Sequence, residues 1–185
     1  MVALAIAGCG SSGNGGSGSG SKASSAKTAE SSPPGDIPDN QAFVAFKPPS
    51  AHYSVKVPEG WARRSSGAAT SFTDKLNSIT MSEQAAKAAP NATSGQAQLK
   101  RLATLQGFKA GKVTVVKRNA GPAVRITYFA QGPKDPVTGR TRTRAFERYE
   151  YFHNGRMAVL TLAGAKGADN VDPWRIVSDS LRWAG

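Results

Sequence analysis

One cysteine, two histidines and twelve acidic residues are all that the 185-residue chain holds of the side chains most used in redox, metal and acid–base chemistry. A single cysteine, Cys9, forbids a disulfide within one copy and any site built of several thiolates, so folding must rest on packing. A nucleophile–base pair or a histidine metal site would have to use His52 or His153, and both read as surface positions: His52 precedes a strand and His153 flanks a hairpin turn. Neither Gly-x-Ser-x-Gly nor Ser-x-x-Lys occurs in the foldable region. Asp169, Asn170 and Asp172 match no calcium-loop spacing, so no metal is expected. No apolar run approaches the about 20 residues that span a bilayer as a helix.

What is present begins with Val2 to Ala7, a short apolar run leading into Gly8 and Cys9. Ile6-Ala7-Gly8-Cys9 resembles a bacterial lipobox. That resemblance implies a diacylglycerol on the Cys9 thiol, cleavage before it, and an extracytoplasmic protein held on the cell membrane by its lipid. No thiol then remains for nucleophilic work. Only eight residues precede Cys9 and none is charged, so residues 1–8 read as the truncated end of a signal peptide that starts upstream of Met1. Two or more acyl chains, at about 0.8 kcal/mol per buried methylene, suffice to hold such a protein on a bilayer.

From Gly10 to Ser21 every residue but Asn14 is glycine or serine, and alanine, serine and proline continue to Gln41. This composition cannot bury apolar surface, so residues 9–41 read as the lipidated cysteine and a flexible tether, with a reach on the order of 30 Å. Residues 42–185 read as one domain. From Ala42 onward 22 lysines and arginines face 9 aspartates and glutamates, a net of +13 against +12 for the whole chain. The basicity belongs to the folded part. Basic domains bind nucleic acid by releasing counterions from phosphates. Export takes nucleic acid out of reach and leaves phospholipid headgroups and phosphate-bearing wall polymers as the abundant polyanions.

Along the domain, Ala42 to Phe46 and Tyr53 to Val57 alternate as half-buried strands, and short strands follow at Thr70 to Thr73 and Ser78 to Ser82. Thr93 with Gln96 three residues on predicts a helix start, and Gly107 a helix stop, with Leu99, Leu102 and Leu105 on its apolar face. Lys112 to Arg118 and Ala123 to Ala130 read as strands joined by a turn at Asn119-Ala120-Gly121-Pro122. Asn154-Gly155 is a type I′ turn signal that pairs Tyr151 with Ala158 and Tyr149 with Leu160 on one face, and Phe152 with Met157 and Glu150 with Val159 on the other. Both faces are apolar, so the sheet is expected between two layers. Asp172 as N-cap and Pro173 at the first position predict a closing helix carrying Trp174, Val177 and Leu181, with Trp183 near its end. The expected class is α+β, an antiparallel sheet sandwiched by helices, and the expected state a monomer.

Tyr53-Ser54-Val55-Lys56-Val57-Pro58-Glu59-Gly60-Trp61, the Phe72-Thr73-Asp74 strand, the mid-chain helix, the long hairpins and the closing Ser180-Leu181-Arg182-Trp183 resemble the PsbP-like fold, an α/β/α sandwich. That superfamily includes the photosystem extrinsic protein PsbP, actinobacterial lipoproteins of the LpqN type and a eukaryotic Ran-binding factor. The resemblance implies a binding or accessory module without a shared catalytic site, hence not an enzyme, with no cofactor beyond the lipid on Cys9. It points to a protein complex of the envelope as partner.

Two features are candidates for binding. Gln131 to Arg144 joins two strands through Gly132-Pro133-Lys134-Asp135-Pro136-Val137-Thr138-Gly139-Arg140, after which Arg142 and Arg144 alternate with threonines and Arg148 follows. Residues two apart in an extended chain point the same way, so Lys134, Arg140, Arg142, Arg144 and Arg148 are candidates for an anionic lipid, wall polymer or acidic protein surface. The competing explanation is that these charges merely discourage edge-to-edge pairing of a solvated hairpin. Trp61 and Trp183 near sheet ends mark the place for a ligand groove, against the simpler reading of both as packing residues. A hydrolase with a site of another kind is the remaining alternative.

Overall fold

The computed structural model describes residues 35–135 and 138–184. In chain order the elements are β1 Phe43–Phe46, β2 Tyr53–Pro58, β3 Ala62–Ser66, β4 Ala69–Asp74, β5 Asn77–Ala85, α1 Ala92–Leu102, β6 Lys109–Arg118, β7 Gly121–Gln131, β8 Thr143–His153, β9 Arg156–Ala165, α2 Val171–Asp179 and β10 Arg182–Trp183. Seven strands form one antiparallel sheet in the order β3-β4-β5-β9-β8-β7-β6, and the other three a small sheet, β1-β2-β10. The hairpin at Asn154-Gly155 has the positive φ angles, 44° and 75°, that a type I′ turn requires at both central residues. Its register is the expected one, Tyr151 opposite Ala158 and Tyr149 opposite Leu160.

That register divides the large sheet into two faces. On the first, Ile79, Met81, Tyr149, Tyr151, Leu160 and Leu162 pack against Tyr53, Val55 and Val57 of the small sheet and against Trp174, Val177 and Leu181 at α2. On the second, Val124, Ile126, Tyr128 and Ala130 alternate along β7 against Leu99 of α1. The α1 backbone approaches closely here because Gly95 lacks a side chain: a Cβ on it would lie 2.6 Å from Val113 Cγ1 and 2.7 Å from Val124 Cγ1. The class is therefore α+β as expected, with the small sheet sharing a layer with α2. Helix α1 packs on β6 and β7. Further along that second face, β8, β9 and β5 carry Arg144, Phe146, Arg148, Thr161, Ser78 and Thr80, all partly exposed.

Several local expectations differ from the structure for identifiable reasons. Helix α1 is capped by Asn91 in a capping box with Ser94, not by Thr93 with Gln96, and it ends at Leu102. Beyond it the chain unwinds through tight turns, with Leu105 N–H bonding Leu102 O, and Gly107 (φ 66°) turns into β6 instead of stopping a helix. Helix α2 begins after Asn170, with Asp172 in its first turn. The Asn170 amide caps nothing because it accepts from Ile37 N–H (2.8 Å) and donates to Gly35 O (3.0 Å) and Asn77 Oδ1 (3.2 Å).

Trp183 is on a strand, not on the closing helix. Ser180 Oγ bonds Val177 O and accepts Lys56 N–H, each at 2.7 Å, which ends α2 and pairs the following residues with β2. Residues 35–41, grouped with the tether by composition, carry part of the core: Ile37 is 4% exposed and packs in the main cluster. Gly35 (φ 102°) lies so close to β9 that a Cβ on it would sit 2.8 Å from the Ala165 Cβ.

Candidate functional site

Antiparallel pairing brings distant segments to one end of the large sheet. The β4–β5 turn closes at Asp74 opposite Asn77, β7 ends at Gln131 opposite Thr143, and β9 ends at Ala165 opposite Arg144. Between them lies a hollow of about 160 Å³ whose wall carries five cations, Lys75, Lys134, Arg140, Arg142 and Arg144, over the apolar side chains of Leu76, Pro133 and Ala165. An adjoining depression adds Lys166 next to Arg142. One carboxylate, Asp135, lines the hollow, and its Oδ1 accepts from Thr138 N–H (2.7 Å) and Thr138 Oγ1 (3.0 Å).

The loop that carries these cations is built by backbone hydrogen bonds. Gly132 N–H donates to Arg142 O and Asp135 N–H to Arg140 O, each at 2.9 Å, so the two sides of the connection stay paired past the strand ends. Gly132 also makes room for Arg144, since a Cβ there would lie 2.6 Å from Arg144 Cδ. With that space the Arg144 side chain crosses β9 and its Nη2 donates to Ser78 Oγ (2.8 Å) on β5 and to Ala163 O (3.0 Å). Its guanidinium carbon sits 5.7 Å from the centre of the Phe146 ring.

Arg144 stands apart from the other arginines that are partly buried in the sheet. Arg118 pairs with Asp179, Arg125 with Glu147, and Arg148 with Glu150. Arg144 has no carboxylate within ion-pair distance among the described residues, and its Nε–H is buried without an acceptor. Burial pulls the guanidinium below its usual pKa, opposed by the Tyr128 hydroxyl.

Of the five cations singled out in the sequence, Lys134, Arg140, Arg142 and Arg144 meet in the hollow. Arg148 does not. Its Nε donates to Glu150 Oε1 at 2.9 Å, and Glu150 is 4% exposed, so this arginine neutralises a buried carboxylate. The charges do not guard an edge either, because β7 and β8 are each paired on both sides and the edges are β3 and β6. Lys75 and Lys166 escape a sequence reading: the stripe argument runs along one strand, whereas they arrive from a turn and a strand end that only the sheet order makes neighbours.

The tryptophans form no part of this hollow. Trp61 is 9% exposed within the main core. Trp183 packs edge-on to Tyr53 at 6.0 Å and stacks with His153 at 5.4 Å between ring centres, and its Nε1 is buried without a partner. His52 bonds Glu83, which also receives Arg156 at 3.0 Å. Cys9, Pro136 and Val137 lie outside the described residues.

No protein-family model matches the chain, and no curated protein matches it in sequence. Solved structures do. The solution structure of cyanobacterial PsbP (CyanoP) from Synechocystis sp. matches with a TM-score of 0.57 and 13% identity, covering 77% of this chain and 93% of that one. The Ran-binding protein Mog1p of Saccharomyces cerevisiae matches with a TM-score of 0.53 and 9% identity, covering 77% and 96%. A protein of Bacteroides thetaiotaomicron matches with a TM-score of 0.52 and 13% identity over 76% of this chain, which spans 48% of that protein's length. What these likenesses share with the present chain is the fold, and that fold is PsbP-like.

Proposed function

We propose that this chain is a non-catalytic binding module of the bacterial cell envelope, anchored to the outer face of the cell membrane by a lipid on Cys9, that engages an anionic partner through the basic end of its large sheet. One observation carries the reading: five cations from three separate segments surround a single hollow whose only carboxylate already serves its own turn. Like charges repel, so a fold that collects them at one place gains by the arrival of an anion. The lipobox supplies the location and the net charge of the domain supplies the sign of the partner.

The partner class is an anionic lipid or wall polymer. An accessory role on an envelope protein complex is the second reading, and it draws on the fold, because a domain of this shape serves as a Ran-binding protein in yeast.

The test uses the full chain with Cys9→Ala, so that no acyl chain contributes, in sedimentation with phosphatidylglycerol and with phosphatidylcholine vesicles at low and high salt. Binding to the anionic vesicles alone, weakened by salt and lost when Lys134, Arg140 and Arg142 become alanine, is the expected result. Binding that ignores those three changes would remove the hollow from the function. Retention of a defined envelope protein at high salt would favour the accessory role instead.

A further inference from the structure

Arg144 carries a positive charge into a partly buried place and has no carboxylate within ion-pair distance among the described residues. Burying an unpaired ion is costly, and the fold elsewhere obeys that rule by giving Arg118, Arg125 and Arg148 each a carboxylate. Here two neutral oxygens, Ser78 Oγ and Ala163 O, hold Nη2 in place, and the buried Nε–H has no acceptor. Asp135 lines the same hollow, where its Oδ1 accepts from Thr138 N–H and Oγ1, and it forms no ion pair with Arg144.

From this geometry we infer that the hollow is a phosphate seat: one phosphate group, free or as an ester, docks against Arg144 and is closed around by Lys75, Lys134, Arg140 and Arg142. The inference rests on the anionic-partner reading and names the chemical group that the hollow takes. With Nη2 committed to Ser78 and Ala163, the Arg144 guanidinium offers a phosphate its charge and the two N–H groups of Nη1. A phosphate has further oxygens for cations arriving from other directions, whereas a carboxylate has two in all. The cations here do arrive from several directions, Lys75 from the β4–β5 turn, Lys134 and Arg140 from the loop and Arg142 from the approach to β8. At about 160 Å³ the hollow has room for a phosphate group. Gly132 is part of the design, since any side chain there displaces the Arg144 stem.

The experiment is a titration of the full chain, Cys9→Ala, with inorganic phosphate and with glycerol phosphate, followed by calorimetry and by the NMR signal of the Arg144 Nε–H. Four proteins are compared: the parent, Arg144→Lys, Gly132→Ala, and Arg175→Ala as a control on the exposed side of α2. Lys keeps the charge and loses the guanidinium's Nη1 and Nη2 donors; Gly132→Ala keeps every charge and moves the stem. Saturable phosphate binding that shifts the Nε–H signal, and that falls at least tenfold in both variants but not in the control, is the expected result. Thermal unfolding of each variant shows whether it is folded.

Glycerol phosphate that displaces the protein from phosphatidylglycerol vesicles identifies a lipid headgroup as a source; binding of inorganic phosphate with no such competition identifies free phosphate. Salt-sensitive binding to anionic vesicles that is untouched in Arg144→Lys and Gly132→Ala overturns the seat while the broader reading survives. No binding of the parent to any of these anions overturns both.

Discussion

The hydroxyl of Tyr151 donates to the backbone oxygen of Ser178 at 2.7 Å, tying the last residues of β8 to the last turn of α2 across the main core. Both residues are fully buried. Burial and the neighbouring Tyr149 raise the Tyr151 phenol far above its usual pKa, so it stays a donor at any ordinary pH. Tyr151→Phe removes the donor and leaves a buried carbonyl unsatisfied, which costs about 1–3 kcal/mol. Urea unfolding monitored by circular dichroism should show a lower midpoint with an unchanged slope.

Gly95 is in the middle of a helix, where alanine would ordinarily be favoured by about 1 kcal/mol. Contact decides otherwise. With Val113 and Val124 at 2.6 and 2.7 Å from the new methyl, Gly95→Ala overpacks the α1 seat and should destabilise by about 1–3 kcal/mol. Ala97→Gly, at an exposed position of the same helix, is the comparison and should cost about 1 kcal/mol through propensity alone.

Arg148 and Arg142 separate the arginine that holds a buried carboxylate from one that lines the hollow. Arg148→Ala strands the Glu150 carboxylate, whose side chain is 5% exposed, and should cost about 3–5 kcal/mol. Arg142 is exposed, and Arg142→Ala should leave stability within about 0.5 kcal/mol. Denaturation of the two variants side by side checks this. Vesicle binding should report the opposite order, once the surviving folded fraction of Arg148→Ala is allowed for.

Glu83 predicts a pH dependence. Burial pushes its carboxyl up, but the His52 backbone N–H, the His52 ring and Arg156 together pull it below the ordinary glutamate value. A depressed folded pKa means that the unfolded chain takes up the proton first as pH falls. The contribution is therefore complete above the unfolded value of about 4.3 and is lost as pH drops through it toward the folded one. The stability gap between the parent and Glu83→Gln should be full near neutral pH and close in acid. A gap that widened in acid would contradict the assignment.

The long hairpin was legible because its turn chemistry and its two apolar faces leave one register: Asn154-Gly155 sets the count and Tyr151 opposite Ala158 follows. β3 was not, since Ala62-Arg63-Arg64-Ser65-Ser66 is exposed at every position and owes its strand to pairing with β4, not to any pattern of its own. Helix α1 was found but its cap was misplaced, because Asn91, Thr93 and Ser94 are all capping residues and only the bond from Ser94 N–H to Asn91 Oδ1 chooses among them. The basic loop could be read as a stripe. That Arg148 belongs to Glu150, and that Lys75 completes the hollow, depend on neighbours across the sheet, which spacing along one strand does not contain.

The contact of Gly35 with Ala165 also sets where tension would enter the domain. Ala165 lines the hollow, and Asn77 and Asn170 clamp Gly35 beside it, so the chain arriving from the amino-terminal side is fastened at the rim of the hollow. A pull applied at Gly35 is borne at the basic end of the sheet.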